Sequence, residues 1–260
     1  MKIVSHFSLL TILIYFSASL VWAHEDKEST QNEIATKAEW PKPVNDTEQY
    51  GIMLFDVLEY RGGNEPTLNW DLIGWRGDDI QRIWIKSEGN KQVSSSRRSE
   101  VDLQVLYGKL ITSFFDLQAG LRFKQKSTEA ESPSQFSAVV GVQGLALYMY
   151  ELDAALFLSQ AGDLAARVTA TEDFLFSQKV ISQIRLESNA SSRRVEKFEV
   201  GSGLNDLSIG IRLRYEIRRE LAPYVGASWA NRYGESADLA RYAGSSTSET
   251  SLVAGLRIWY

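Results

Sequence analysis

Residues 207–217 read Leu-Ser-Ile-Gly-Ile-Arg-Leu-Arg-Tyr-Glu-Ile. Leu207, Ile209, Ile211, Leu213, Tyr215 and Ile217 fall on one parity; Ser208, Gly210, Arg212, Arg214 and Glu216 fall on the other. A period of two belongs to a β-strand, whose successive side chains leave opposite faces. One face of this strand calls for an apolar medium. The other carries Arg212, Arg214 and Glu216 and calls for water or counter-charge.

The same period recurs along the chain. Phe115, Leu117, Ala119, Leu121 and Phe123 oppose Asp116, Gln118, Gly120, Arg122 and Lys124. Leu252, Ala254, Leu256, Ile258 and Tyr260 oppose Val253, Gly255, Arg257 and Trp259. Alternation predicts twelve strands, at 50–61, 66–76, 79–88, 98–109, 113–125, 134–144, 148–159, 162–174, 178–189, 205–217, 221–233 and 250–260. A soluble β-sandwich would alternate too. Two features favour a membrane barrel. Charges of both signs sit mid-strand on the polar faces, as a wet lumen allows, and aromatics such as Tyr107, Phe115, Tyr150, Tyr215 and Trp229 end the apolar faces, as interfacial girdles do. Connections alternate in length as well: those at 76–78, 110–112, 145–147, 176–177 and 218–220 are short, whereas 89–97, 126–133, 190–204 and 234–249 are longer and polar, though two of the second series, 62–65 and 161–162, are short too. Short periplasmic turns and longer external loops are the habit of outer-membrane barrels. The expected fold is therefore all-β, a transmembrane antiparallel up-and-down β-barrel over residues 50–260. The first strand breaks the pattern: Asp56 and Glu59 differ in parity, which requires either a bulge or a start below the membrane.

Upstream, Lys2, the apolar run Leu9–Phe16 and Val21-Trp22-Ala23 form a charged start, an apolar middle and a cleavage site. Residues 1–23 are expected to be a signal peptide, the competing reading being an anchor helix that so short a run spans poorly. Residues 24–49 hold Pro41 and Pro43, seven acidic residues, three lysines and no apolar period, and are read as a disordered periplasmic segment. The absence of cysteine excludes both a lipid-anchored cysteine and a disulfide framework. A net charge of −5 argues against a nucleic-acid partner, which needs a basic face. An exported chain with strands of this kind is placed in the bacterial outer membrane, with its lipids as the first partner.

Histidine is confined to His6 and His24, so no strand can supply the imidazole base of a Ser–His or Asp–His site. Glu100 and Asp102 are two residues apart on one face, and such carboxylates are more simply solvated or salt-bridged. Gly201-Ser202-Gly203 precedes no helix and reads as turn chemistry rather than a phosphate cradle. No enzyme and no organic cofactor is expected. Parity instead points Asp71, Arg82, Trp84, Lys86, Glu88, Glu100, Asp102, Asp116, Arg122 and Lys124 into the lumen, followed by Glu151, Asp153, Arg167, Arg185, Glu187, Arg212, Arg214, Glu216 and Arg257. Interleaved signs imply ion pairs across the bore that narrow or block it; the competing role is a polar path for a small ion.

Several stretches resemble the copper resistance protein B family of outer-membrane proteins. They are LSIGIRLRYEIRRELAPYVG at 207–226, WDLIGWRGDDIQRIWIKSE at 70–88, Gly141-Val142-Gln143-Gly144-Leu145, Ala237-Asp238-Leu239-Ala240 and the ending SETSLVAGLRIWY. The resemblance spans residues 50–260. It implies a barrel that aids copper tolerance by binding or passing copper ions at the outer membrane, with periplasmic copper-handling proteins as partners. Members of that family often carry a Met- and His-rich N-terminal segment suited to copper. Here residues 24–49 hold one His and no Met. The candidate metal ligands are therefore His24 with a free amino terminus, Met53 and Met149, packing being the competing role for the methionines. The alternative function is a porin-like or structural barrel without a copper site.

Overall fold

The computed structural model describes residues 48–63, 65–94, 98–128 and 131–260. The expected signal peptide and all but the last two residues of segment 24–49 lie outside the described residues. Among the described residues, twelve strands run in chain order: β1 Tyr50–Arg61, β2 Thr67–Gly77, β3 Gln81–Gln92, β4 Ser99–Thr112, β5 Phe115–Ser127 and β6 Ser134–Leu145, then β7 Glu151–Ser159, β8 Leu164–Leu175, β9 Val180–Ser191, β10 Gly203–Tyr215, β11 Leu221–Arg232 and β12 Ser248–Trp259. Each pairs antiparallel with its neighbours, and β1 pairs with β12 to close the barrel. At the seam Met53 N–H donates to Tyr260 O, and Tyr260 N–H donates to Met53 O, both at 2.9 Å. Closure satisfies every strand edge, which hydrocarbon would otherwise leave unpaired.

Alternation sorts the side chains as the sequence requires. Along β10, Ile211 and Leu213 are exposed on the outer face, while Arg212 and Arg214 are buried within the bore. Val105, Leu121 and Val225 are likewise exposed outside, where lipid rather than water is the solvent. The parity conflict in β1 is resolved by a bulge. Phe55 pairs with Leu72 and Val57 with Asp71, so Asp56 is one residue too many; the pairing with β12 slips between Phe55 and Glu59 as well. Two residues then oppose one, and the strand changes phase. Asp56 and Glu59 are both buried on the lumen side.

Short turns and both strand termini share one end of the barrel, which the turn-length rule makes periplasmic. Two local differences from the sequence expectation occur. β7 begins at Glu151 rather than at 148, because Leu147–Met149 form a 3-10 turn with Tyr148 and Met149 in the left-handed region, at φ 64° and 69°. At the external end, the 234–249 connection contains a helix, α1 (Gly234–Tyr242), whose buried face is only Ser236, Ala237 and Ala240. Three small side chains give too faint an apolar stripe for periodicity to reveal.

The bore is filled on one side by an apolar cluster of Trp84, Leu106, Val139 and Phe157, flanked by Ile73 and Trp75. Gly108 makes room for it, since a Cβ there would stand 2.5 Å from Trp84 Nε1.

Candidate functional site

The charged residues of the lumen face meet halfway down the bore. Arg185 on β9 reaches Asp71 on β2 at 2.6 Å and Asp56 in the β1 bulge at 3.5 Å. Asp56 also accepts from Arg257 Nε on β12 at 2.8 Å. Arg167 on β8 donates to Glu88 on β3 at 2.6 Å and to Asp102 on β4 at 3.1 Å. Asp102 takes a two-pronged contact from Arg122 on β5. Glu187 joins the two halves, 3.6 Å from Arg185 and 3.9 Å from Arg167. The result is one connected layer from the β12 wall to the β5 wall. Strand register alone could not bring these groups together; β8 and β3 are five strands apart in the closed order. Only an interior narrow enough for guanidinium and carboxylate to touch across it does so.

This layer divides the bore. A cavity of about 440 Å³ lies toward the periplasm, lined by Ile52, Leu54, Trp75, Trp84, Phe114 and Glu151 among others. A second of about 340 Å³ lies toward the outside, lined by Glu100, Lys124, Asn189 and Phe198. Asp71, Glu88, Phe157, Arg167 and Arg185 line both, so these five side chains are the partition. Arg122 and Arg167 also lie over the Phe157 ring, at 3.9 Å and 5.7 Å from its centroid, adding cation–π attraction. Guanidinium stays charged at any pH the protein meets, so the layer is held by permanent cations.

Above it the β9–β10 connection turns inward. Phe198 is buried against the outer cavity, and its carbonyl accepts from Lys126 Nζ at 3.4 Å. Lys126 also pairs with Glu199 at 2.9 Å, with Arg232 3.6 Å from the same carboxylate. Beyond lies a mouth of about 620 Å³.

The remaining residues read from parity take these places. Glu100 pairs with Lys124 at 2.6 Å, Arg82 with Asp116 at 2.9 Å, and Lys86 with Asp153 across the bore at 2.5 Å. Arg212 pairs with Glu59 at 2.9 Å, and Arg214 with Asp173 at 2.6 Å. Glu216 stands past the end of β10 at the rim, 3.9 Å from Arg214. Glu151 lines the periplasmic cavity. The metal candidates are not brought together. His24 lies outside the described residues, Met53 is in β1, and Met149 is exposed in the β6–β7 turn on the opposite wall. Among the described residues no group of three His, Cys, Asp or Glu side chains stands at metal-holding spacing.

Parity did not select Asp56, Glu59, Asp173 or Tyr224, which donates to Glu59 at 3.1 Å. Asp173 shares parity with Arg167 and was open to the same argument; Asp56 and Glu59 were hidden by the bulge.

A family model described as "Copper resistance protein B precursor (CopB)" matches residues 49–260. Copper resistance protein B of Escherichia coli is 37% identical over 218 residues, covering 84% of this chain and 72% of that one. The copper resistance protein B homolog of Pseudomonas syringae pv. tomato is 35% identical over 218 residues with the same coverage. Among solved structures the NanC porin aligns at a TM-score of 0.50 and 13% identity, over 80% of this chain and 99% of that one, a likeness of fold alone.

Proposed function

The chain belongs to the copper resistance protein B family, and from that membership we propose that this outer-membrane barrel serves copper tolerance by letting copper ions bind within and pass along its bore. The observation that carries the reading is the charge of the periplasmic cavity. Asp56, Asp71, Glu88, Asp116, Glu151 and Asp153 line it against Arg82, Lys86, Arg167 and Arg185, six carboxyl groups to four cationic ones. Rings of carboxylate favour cations in a pore, and carboxylate oxygens bind Cu²⁺ more firmly than other divalent first-row ions. Carboxylates that are not gathered into a chelating cluster among the described residues also suit conduction, because a permeant ion must leave as readily as it enters. Copper here is cargo. Periplasmic copper-handling proteins are the natural partners at the end where the acidic cavity opens.

Refolded mature protein in liposomes should take up Cu²⁺, with Zn²⁺ following less and a small sugar hardly at all. Equal passage of all three would replace this reading with a porin-like one. No passage of any would leave a closed barrel whose task is anchoring or partner-dependent.

A further inference from the structure

The mid-bore layer has a charge imbalance. Its connected members are the carboxylates Asp56, Asp71, Glu88, Asp102 and Glu187 and the guanidiniums of Arg122, Arg167, Arg185 and Arg257. Five carboxyl groups share four guanidiniums. The surplus has a location: Asp71 is 6% exposed, yet its Oδ1 has no hydrogen-bond partner among the described residues. Its other oxygen is held by Arg185. A buried carboxylate oxygen left unpaired is costly, and Asp71 lines the cavities on both sides. Arg185, for its part, has alternatives within reach. Asp56 at 3.5 Å and Glu187 at 3.6 Å are both longer than its 2.6 Å contact to Asp71 and can shorten if that contact is given up.

We propose that Asp71 and Arg185 form the selectivity element of the bore: Arg185 is a tethered counter-ion that a divalent cation displaces from Asp71 in order to pass. The proposal rests on the conduit reading above and assigns its ion discrimination to two residues. A monovalent cation brings no more charge to Asp71 than the guanidinium already there and must also be dehydrated, so it has no means of displacing Arg185. A divalent ion brings twice the charge and takes up the idle Oδ1 at once. Arg185 then moves onto Asp56 and Glu187, so that no charge is left unpaired at the moment of passage. When the ion leaves, the guanidinium returns and the bore closes. Neutral solutes carry no charge with which to displace Arg185 and find the layer shut. Arg185 thus acts through Asp71 and is a positioning residue for the ion.

The test is flux of Cu²⁺ and K⁺ into liposomes containing the mature protein, with wild type, Arg185→Gln, Arg185→Lys and Asp71→Asn compared at equal heat-modifiable (folded) content. Wild type should pass Cu²⁺ and little K⁺. Arg185→Gln should raise K⁺ flux several-fold and collapse the Cu²⁺/K⁺ ratio, Arg185→Lys should restore much of that ratio, and Asp71→Asn should lower Cu²⁺ flux while K⁺ stays low. If wild type passes Cu²⁺ but Arg185→Gln keeps the wild-type ratio, the selectivity element is overturned and the conduit stands. If neither wild type nor Arg185→Gln passes Cu²⁺, the conduit and the selectivity element fall together.

Discussion

Glu59 is among the most deeply buried side chains, at 1% exposure, and answers to three groups: Arg212 at 2.9 Å, Arg61 at 2.7 Å and Tyr224. Such a pair is weak evidence for net stability, because desolvation cancels much of the attraction. Breaking it is another matter, since Arg212 would remain buried without its counter-charge. Glu59→Gln should cost about 3–5 kcal/mol, read as a lower urea midpoint for the refolded protein in detergent; an unchanged midpoint would show that Arg212 finds compensation elsewhere. On the outer face the solvent is reversed. Leu213 is exposed to lipid, and Leu213→Arg should cost about 2–4 kcal/mol if the site lies at mid-bilayer. Retention of the wild-type heat-modifiable shift and unfolding midpoint by this variant would mean that Leu213 does not face hydrocarbon.

Strands, turns and the helix α1 were legible to different degrees. β10 could be read at sight because each face is uniform for its whole length. β1 could not, because one extra residue at Asp56 shifts its phase halfway along, and a bulge leaves no signature in composition. The β6–β7 turn was read too short, since Tyr148 and Met149 adopt left-handed angles without the glycine that usually announces them. For the site, parity told which charges face inward but not which meet, because partners four or five strands apart are chosen by the width of the closed bore. The external connections carry an independent test. Ser202 donates from both its backbone N–H and its hydroxyl to Glu235 of α1, at 3.0 and 2.9 Å, and these bonds hold the Glu235 carboxyl below its ordinary 4.5. A lowered folded value stabilises the docked loop above the unfolded one and loses that contribution as pH falls through the folded one. Hydrogen exchange at the Ser202 amide should therefore quicken once the pH drops below about 4.5, and Glu235→Gln should flatten that dependence. Equal exchange at pH 4 and pH 7, after correction for intrinsic rates, would separate the loop from α1.

At the scale of the molecule, the barrel is a lipid-facing shell around a bore partitioned midway. Its copper role is proposed for the bore rather than for the polar segment before it, so removal of residues 24–49 should leave Cu²⁺ flux in liposomes at the full-length level. A loss of flux with folding intact would move the copper site into that segment. A thin partition between two cavities also decides where an electrical potential is felt. Ionic solution on either side drops little voltage, so a Donnan potential across the outer membrane is concentrated on the few ångströms of thickness of the layer that holds Asp71 and Arg185 instead of being graded along the bore. A unit charge crossing that step feels nearly the whole potential, about 2.3 kcal/mol per 100 mV, which makes the ionic composition of the periplasm an input to how readily Arg185 lets go.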